Sequence, residues 1–361
     1  MEAPHVVVIG GSAGALRGLL DIVRHLPLDF PAAVLVVIHL SPDYPSRLPR
    51  LLNDAGPLEA RNAQSGEAAE PGRIYVAPPD HHLLLQRGKL RVSRGPRENR
   101  ARPSIDVLFR SAAYASGPGV TGVLLSGMLD DGTSGLWAIK HLGGYAIVQH
   151  PEEAEFPSMP LSAVQRVEVD DILPAREIGP RLAQQVGRAA AQGTGGHRER
   201  KAMNEQDRHR LEVELGVASE DNAFEGGVLN PGPMSTFTCP ECHGAMVKIQ
   251  EGRTLRFRCH TGHAFTSAAL LSELRESVEA TLWSSVRALD ENVMLLEHLA
   301  KHFAEAGEPI QGEVFRREAA QARERSRTVR GVALQAGEHQ EELLRAARGA
   351  ELKDEMEEQA G

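Results

Sequence analysis

The chain opens on Val6-Val7-Val8-Ile9, an apolar β-branched run that stops at Gly10-Gly11. Leu16, Leu19, Leu20 and Val23 follow at helical spacing. Residues 33–38 form a second run without a polar residue, followed by a Pro-rich turn and an expected helix over 47–52. Runs of the same character recur at 73–77, 120–125 and 146–148. Strands that are apolar on both faces and alternate with helices predict a doubly wound, mainly parallel sheet, a three-layer αβα α/β domain over residues 1–190. Residues 83–93 read instead as a short antiparallel hairpin. A closing helix is expected to begin near Pro174 and to carry Ile178, Leu182 and Val186 on one face.

Past residue 190 the pattern changes. Gly-Thr-Gly-Gly, a charged stretch, Glu-Gly-Gly and Asn-Pro-Gly-Pro mark 191–235 as a linker with room for one short helix. A cysteine-bearing module is expected over 236–266. Beyond it, Leu271, Leu274, Val278, Leu282, Val286, Leu289, Val293, Leu296, Ala300 and Phe303 step by three or four, which predicts one long amphipathic helix. A Gly and a Pro within 304–309 turn the chain. A weaker stripe of Phe315, Ala319, Ala322 and Val329 then leads into an acidic tail. Residues 267–361 thus read as a coiled-coil-like helical hairpin whose stripe needs cover, from the hairpin itself, from the cysteine module, or by self-association or docking of a partner.

Length and charge narrow the possibilities. At about 150 residues per domain, 361 residues suggest two or three folding units. A net charge of −9 argues against nucleic-acid binding, and 41% hydrophobic with 25% charged residues is ordinary globular composition. No apolar run approaches the roughly 20 residues of a membrane span, and the start lacks the basic and apolar regions of a signal peptide. The expectation is a cytoplasmic protein that is not membrane-embedded.

Candidate chemistry lies first at Gly10-Gly11-Ser12-Ala13-Gly14, between the first strand and the first helix. This is the G-x-S-x-G nucleophile elbow in its strand–turn–helix context, with helix amide hydrogens nearby to receive an oxyanion. A glycine-rich anion-binding loop is the competing reading. His39 ends the second apolar strand, at the same sheet edge, where a base for Ser12 would stand. Asp130 and Asp131 follow the strand ending near Leu125. Either could orient the imidazole or merely cap the next helix, and spacing alone does not choose between them.

All three cysteines fall in Cys239-Pro-Glu-Cys242 and Cys259-His-Thr-Gly-His263. C-x-x-C with C-x-x-x-H is a Cys3His zinc pattern, and a module this small would be held together by its metal. His263 is preferred over His260 and His243 as fourth ligand, because adjacent Cys259 and His260 would be cramped. A redox role for C-x-x-C is weaker, since no thioredoxin-like unit surrounds it.

The segments VVVIGGSAGA, VVIHLSPDYPSRLPRLL, IYVAPPDHHLLL, NRARPSIDVLF, GVLLSGMLDDGTSGL and EFPSMP, in this order, resemble the catalytic domain of the bacterial chemotaxis protein-glutamate methylesterases over residues 5–187. The resemblance implies Ser12 as nucleophile, His39 as base and Asp131, which directly precedes the motif glycine, as its partner. It also implies that the Met128 amide, with that of Ala13, serves the oxyanion. No catalytic cofactor is implied, and the implied substrates are methyl-accepting chemotaxis receptors, with glutamine deamidation as a second reaction. His81, Asn99 and Arg102 lie in family-like motifs, as groove-lining or structural residues. Two departures stand out: Ala13 replaces the family's usual threonine, and the catalytic segment starts at residue 5, so no phosphorylatable receiver domain is expected within this chain. The cysteine text also resembles tails of receiver-less relatives. A signalling adaptor with weak esterase activity, docked or regulated through its zinc and helical tail, is the alternative function.

Overall fold

A computed structural model of the chain describes residues 5–39, 46–192, 205–219, 227–228 and 232–358. Residues 1–4, the loop 40–45 inside the second family-like segment, the linker stretches 193–204, 220–226 and 229–231, and the last three residues lie outside the described residues.

In chain order the first elements are β1 (His5–Gly11), α1 (Ala15–Arg24), β2 (Ala32–Ile38), α2 (Leu48–Ala55), β3 (Glu59–Asn62), β4 (Arg73–Val76), β5 (His82–Gln86) and β6 (Lys89–Ser93). Then come α3 (Ile105–Ser116), β7 (Val120–Leu124), α4 (Thr133–His141), β8 (Tyr145–Gln149), α5 (Ser158–Arg166), β9 (Asp171–Leu173) and α6 (Ala175–Gln192). Seven strands form one sheet in the order β3-β4-β2-β1-β7-β8-β9, every neighbouring pair parallel, while β5 and β6 form the separate antiparallel hairpin. The fold is the doubly wound α/β architecture read from the sequence. Its two edge strands, β3 and β9, had no apolar run to announce them.

Successive residues of β1 point to opposite faces, and both faces are covered. Val7 and Ile9 pack with α1, α2 and α6, where Ile178, Leu182 and Val186 are fully buried. Val6 and Val8 pack with α3, α4 and α5. That is why the central strands show no polar alternation. The chain winds from β1 through β2 towards one edge and returns at β7 to build the other. The carboxyl ends of β1 and β7 therefore flank a topological switch point, where open α/β sheets form their crevice.

Next come α7 (Glu205–Ala218), then β10 (Met234–Thr238), β11 (Ala245–Glu251), β12 (Thr254–Cys259) and β13 (Ala264–Thr266) as a four-stranded antiparallel sheet. They belong to the same compact unit as the parallel sheet, Met1–Leu270. The joint is a buried ionic cluster of Glu98, Arg110 of α3, Glu214 of α7, Glu251 of β11, and Arg256 and Arg258 of β12. Three carboxylates and three guanidiniums leave it without net charge.

The second compact unit, Leu271–Gly361, holds most of α8 (Ser267–Glu305) and all of α9 (Pro309–Glu358). Val286, Val293 and Ala300 are buried at heptad spacing opposite Ala319, Ala322, Ser326 and Ala333. The Phe303 and Phe315 rings stack with centroids 5.3 Å apart near the turn. Asp290 accepts from Ser326 Oγ at 2.5 Å and from Arg330 at 2.7 Å. No described helix is long and apolar enough to cross a membrane.

Candidate active site

Ser12 leaves the end of β1 on a turn that only glycines allow. Gly14 has φ of +72°, and a Cβ on Gly10 would stand 2.2 Å from Ile105 Cγ2. The elbow is fastened to the segment after β7. Ser12 N–H donates to Ser126 O at 2.9 Å, and Ser126 Oγ donates to Ala13 O at 2.8 Å. Ser126 Oγ also accepts from Phe156 N–H at 3.0 Å, and Gly127 N–H donates to Phe156 O at 2.9 Å. The EFPSMP stretch thus clamps the loop that carries Met128. The side chain of Met128 is exposed, and neither its N–H nor that of Ala13 makes a backbone hydrogen bond among the described residues.

His39 follows β2, its N–H bonded to Gly11 O at 3.1 Å, which sets it beside the elbow. Its Nδ1 lies 3.2 Å from Ser12 Oγ and its Nε2 lies 2.9 Å from Asp131 Oδ2. The imidazole is only partly covered, whereas Asp131 is buried. Asp131 caps no helix of its own loop; α4 has no side-chain cap. It stands instead at the amino end of α3, where Ile105 N–H donates to Oδ2 at 2.7 Å and Asp106 N–H to Oδ1 at 3.3 Å. Ser104 Oγ and Asn99 Nδ2 each donate to Oδ1 at 2.9 Å. Burial alone would raise its pKa; the His39 hydrogen bond and charge, with Asn99 and the Ile105 amide, outweigh that and hold it below the usual carboxylate range. The site therefore keeps a buried carboxylate ionised against the imidazole.

Asp130, the other aspartate left open by spacing, points away. Thr266 Oγ1 donates to it at 2.5 Å and Arg166 at 2.7 Å, and burial raises its pKa. Arg102 is held by Asp80, at 2.7 Å, and by the carbonyls of Arg94 and Gly95; His81 Nδ1 bonds Pro79 O. Asn99 lies beneath Asp131. Ser126 carries no pattern in the sequence that marks it; the α3 amino end, signalled by Ser104 before Ile105, could have been anticipated.

The family model for CheB methylesterase matches residues 7–182. The chain is 38% identical over 173 residues to the putative protein-glutamate methylesterase/protein-glutamine glutaminase of Leptospira interrogans serovar Lai, covering 48% of this chain and 90% of that protein. This chain belongs to the CheB methylesterase family. It is also 38% identical over 188 residues to protein-glutamate methylesterase/protein-glutamine glutaminase 4 of Anaeromyxobacter dehalogenans, covering 51% and 52% of the two chains. Several curated CheB relatives are thus matched over about half of their length. The Thermotoga maritima CheB methylesterase catalytic domain is 34% identical, with 98% of it covered, 50% of this chain covered and a TM-score of 0.49. The match to the family model ends before α7 and the cysteine module.

In that module Cys239, Cys242, Cys259 and His263 place one ligand atom each within 4.8 Å of one another. The Cys242–Cys259 sulfurs are 3.5 Å apart, and His263 Nδ1 lies 3.7 and 3.6 Å from the sulfurs of Cys239 and Cys259. Those separations match the edges of a tetrahedron with zinc–ligand bonds of about 2.0–2.3 Å. Glu241 Oε2 lies 3.2 Å from His263 Nε2, the outer partner that fixes a ligating imidazole. His260 is exposed and, like His243, is outside this group.

Proposed function

We propose that this chain is a serine hydrolase that demethylates glutamate methyl esters, and deamidates glutamines, on methyl-accepting chemotaxis receptors in the cytoplasm. The observation that carries this reading is the imidazole of His39 hydrogen-bonded on one side to Ser12 and on the other to buried Asp131, in a chain of the CheB family. Ser12 Oγ attacks the ester carbonyl carbon while its proton passes to His39 Nδ1. Asp131 stabilises the imidazolium, and the Ala13 and Met128 N–H groups receive the oxyanion. Collapse of the tetrahedral intermediate breaks the C–O bond, and His39 returns the proton so that methanol leaves. Water, deprotonated by His39, then hydrolyses the acyl-enzyme.

On this reading residues 1–190 supply the esterase, 191–235 link it to the module of 236–266, and 267–361 form the helical hairpin. Cys239, Cys242, Cys259 and His263 hold a structural zinc that contacts neither the ester nor Ser12. Methanol release from methylated receptor membranes tests the function. Wild type is expected to release it and Ser12→Ala to release none above background. Equal release by both would sink the assignment.

A further inference from the structure

Asn99 makes three side-chain hydrogen bonds, each to a different part of the molecule. Its Nδ2 donates to Asp131 Oδ1 and to Asp106 Oδ2, each at 2.9 Å. Its Oδ1 accepts from the backbone N–H of Thr266, in β13, at 2.8 Å. A carboxamide has one oxygen end and one nitrogen end. A fixed N–H donor on one side therefore dictates that the NH2 group faces the aspartates. The backbone is tied down as well: Asn99 N–H donates to Ala264 O at 2.8 Å and Ala264 N–H to Arg97 O at 3.2 Å, so Glu98 makes a single parallel bridge to Ala264 of β13. Asn99 holds this position with φ of +51°.

β13 begins directly after the cysteine-module loop. Cys259 ends β12 and His263 precedes Ala264, with Cys259 N–H bonded to His263 O at 2.9 Å. Two of the four candidate metal ligands thus close the hairpin whose second strand holds Asn99. Thr266 strengthens the same joint, its Oγ1 donating to Asp130 and accepting from Ala269 N–H at the start of α8.

We propose that the Cys/His module is a working part of the esterase site: β13 orients Asn99, Asn99 positions Asp131, and metal held by the module therefore sets the rate of acyl transfer at Ser12. The inference rests on the triad reading above and adds control of that site from a part of the chain outside the family match. Asn99 is a positioning residue, since it acts on the imidazole only through Asp131.

The test uses the full chain and two readouts that do not need the receptor. One is the maximal rate and half-saturating concentration for covalent labelling of Ser12 by a fluorophosphonate. The other is the low-field proton NMR signal of the His39–Asp131 hydrogen bond. Asn99→Ala is expected to lower the maximal labelling rate about 10–100-fold, by analogy with the loss of the outer partner of a metal ligand, with the half-saturating concentration unchanged and the NMR signal displaced. Chelating the metal from wild type is expected to do the same, and zinc re-addition to reverse it, which needs no substitution and shows that the effect follows the metal. In Asn99→Ala, chelation should add less than about twofold, because the two perturbations act on one linkage. Equal fold-losses on chelation in wild type and Asn99→Ala, or a wild type whose labelling and NMR signal ignore metal loss, would overturn the proposal. Failure of the receptor-esterase reading looks different: Ser12 labels in a metal-dependent way, yet no methanol is released.

Discussion

Glu214→Gln probes the ionic joint between the parallel sheet and the cysteine module with almost no change of shape. Glu214 is fully buried on α7 and accepts from Arg256 at 3.0 and 3.2 Å and from Arg258 at 3.3 Å, with Arg110 Nε 3.0 Å away. Burial would raise its pKa, but Arg110, Arg256 and Arg258 prevail and bring it from 4.5 down to about 2. A shift of that size corresponds to about 3 kcal/mol of stability. Breaking a buried ion pair independently suggests about 3–5 kcal/mol, because the guanidiniums left behind remain desolvated. For a unit of this size that is a fall in Tm on the order of 10 °C. Thermal unfolding of the full chain, followed by circular dichroism, measures it. The sign with pH is fixed by the lowered folded-state value. Glu214 contributes in full above its unfolded pKa and loses its contribution as pH falls through its folded one, so the wild-type advantage should hold from pH 8 to about 5 and shrink towards pH 2. Removing Arg256 as well should cost less than the sum of the single changes, because charge balance returns. A Tm within about 2 °C of wild type at pH 7 would refute the view that these charges are mutually compensated.

Asp131→Asn should lower methanol release by about 10⁴-fold, the scale found when a triad carboxylate becomes an amide, while Tm shifts far less; stopped-time gas chromatography of methanol checks it. Gly132→Ala places a Cβ 2.6 Å from Leu124 Cδ1 and 2.7 Å from Ile105 Cγ2 at φ of +92°, so a loss of at least about 1–3 kcal/mol is expected in denaturant unfolding. Cys259→Ser should reduce bound zinc from about one equivalent to well below half, measured by mass spectrometry of protein purified without added metal. A chain ending at residue 190 lacks Glu214, Glu251, Arg256 and Arg258, so Glu98 and Arg110 keep only each other; its Ser12 labelling should be slower than that of the full chain.

The central strands and the elbow were legible because each has one cause visible locally. Val6–Ile9 is apolar on both faces because both faces are covered, and Gly10, Gly11 and Gly14 are glycines because a side chain would collide or strain. β3 and β9 were not legible, since Glu-Ala-Arg-Asn and Asp-Ile-Leu are strands only through pairing with β4 and β8. The choice of Asp131 over Asp130 came from resemblance; the physical reason, an amide-lined niche at the start of α3, is assembled from residues 99–106 and is invisible around position 131. Nothing local in the sequence marks Glu214, Arg256 and Arg258 as buried. They are buried because each meets its opposites across the fold, which no periodicity records.

That burial bears on how the site is held. Six charges removed from water are a poor source of net stability compared with apolar packing of the same volume. Their strength is geometric: a guanidinium fork meets a carboxylate in few arrangements, so a misplaced strand leaves charges unpaired at high cost. Arg256 and Arg258 lie on β12, Glu98 immediately precedes Asn99, and Arg110 lies on the helix whose first amides hold Asp131. The cluster therefore fixes β12 against the two segments that hold Asp131. An apolar interface would tolerate a shift of a fraction of an ångström there. The proton transfer proposed between Ser12 and His39 would not, since small misplacements of reacting groups already slow such steps severely. Charge pairing at this joint is thus the arrangement expected where register matters more than binding strength, and it ties the cysteine module to the segments around Asp131 rather than leaving it as an appendage.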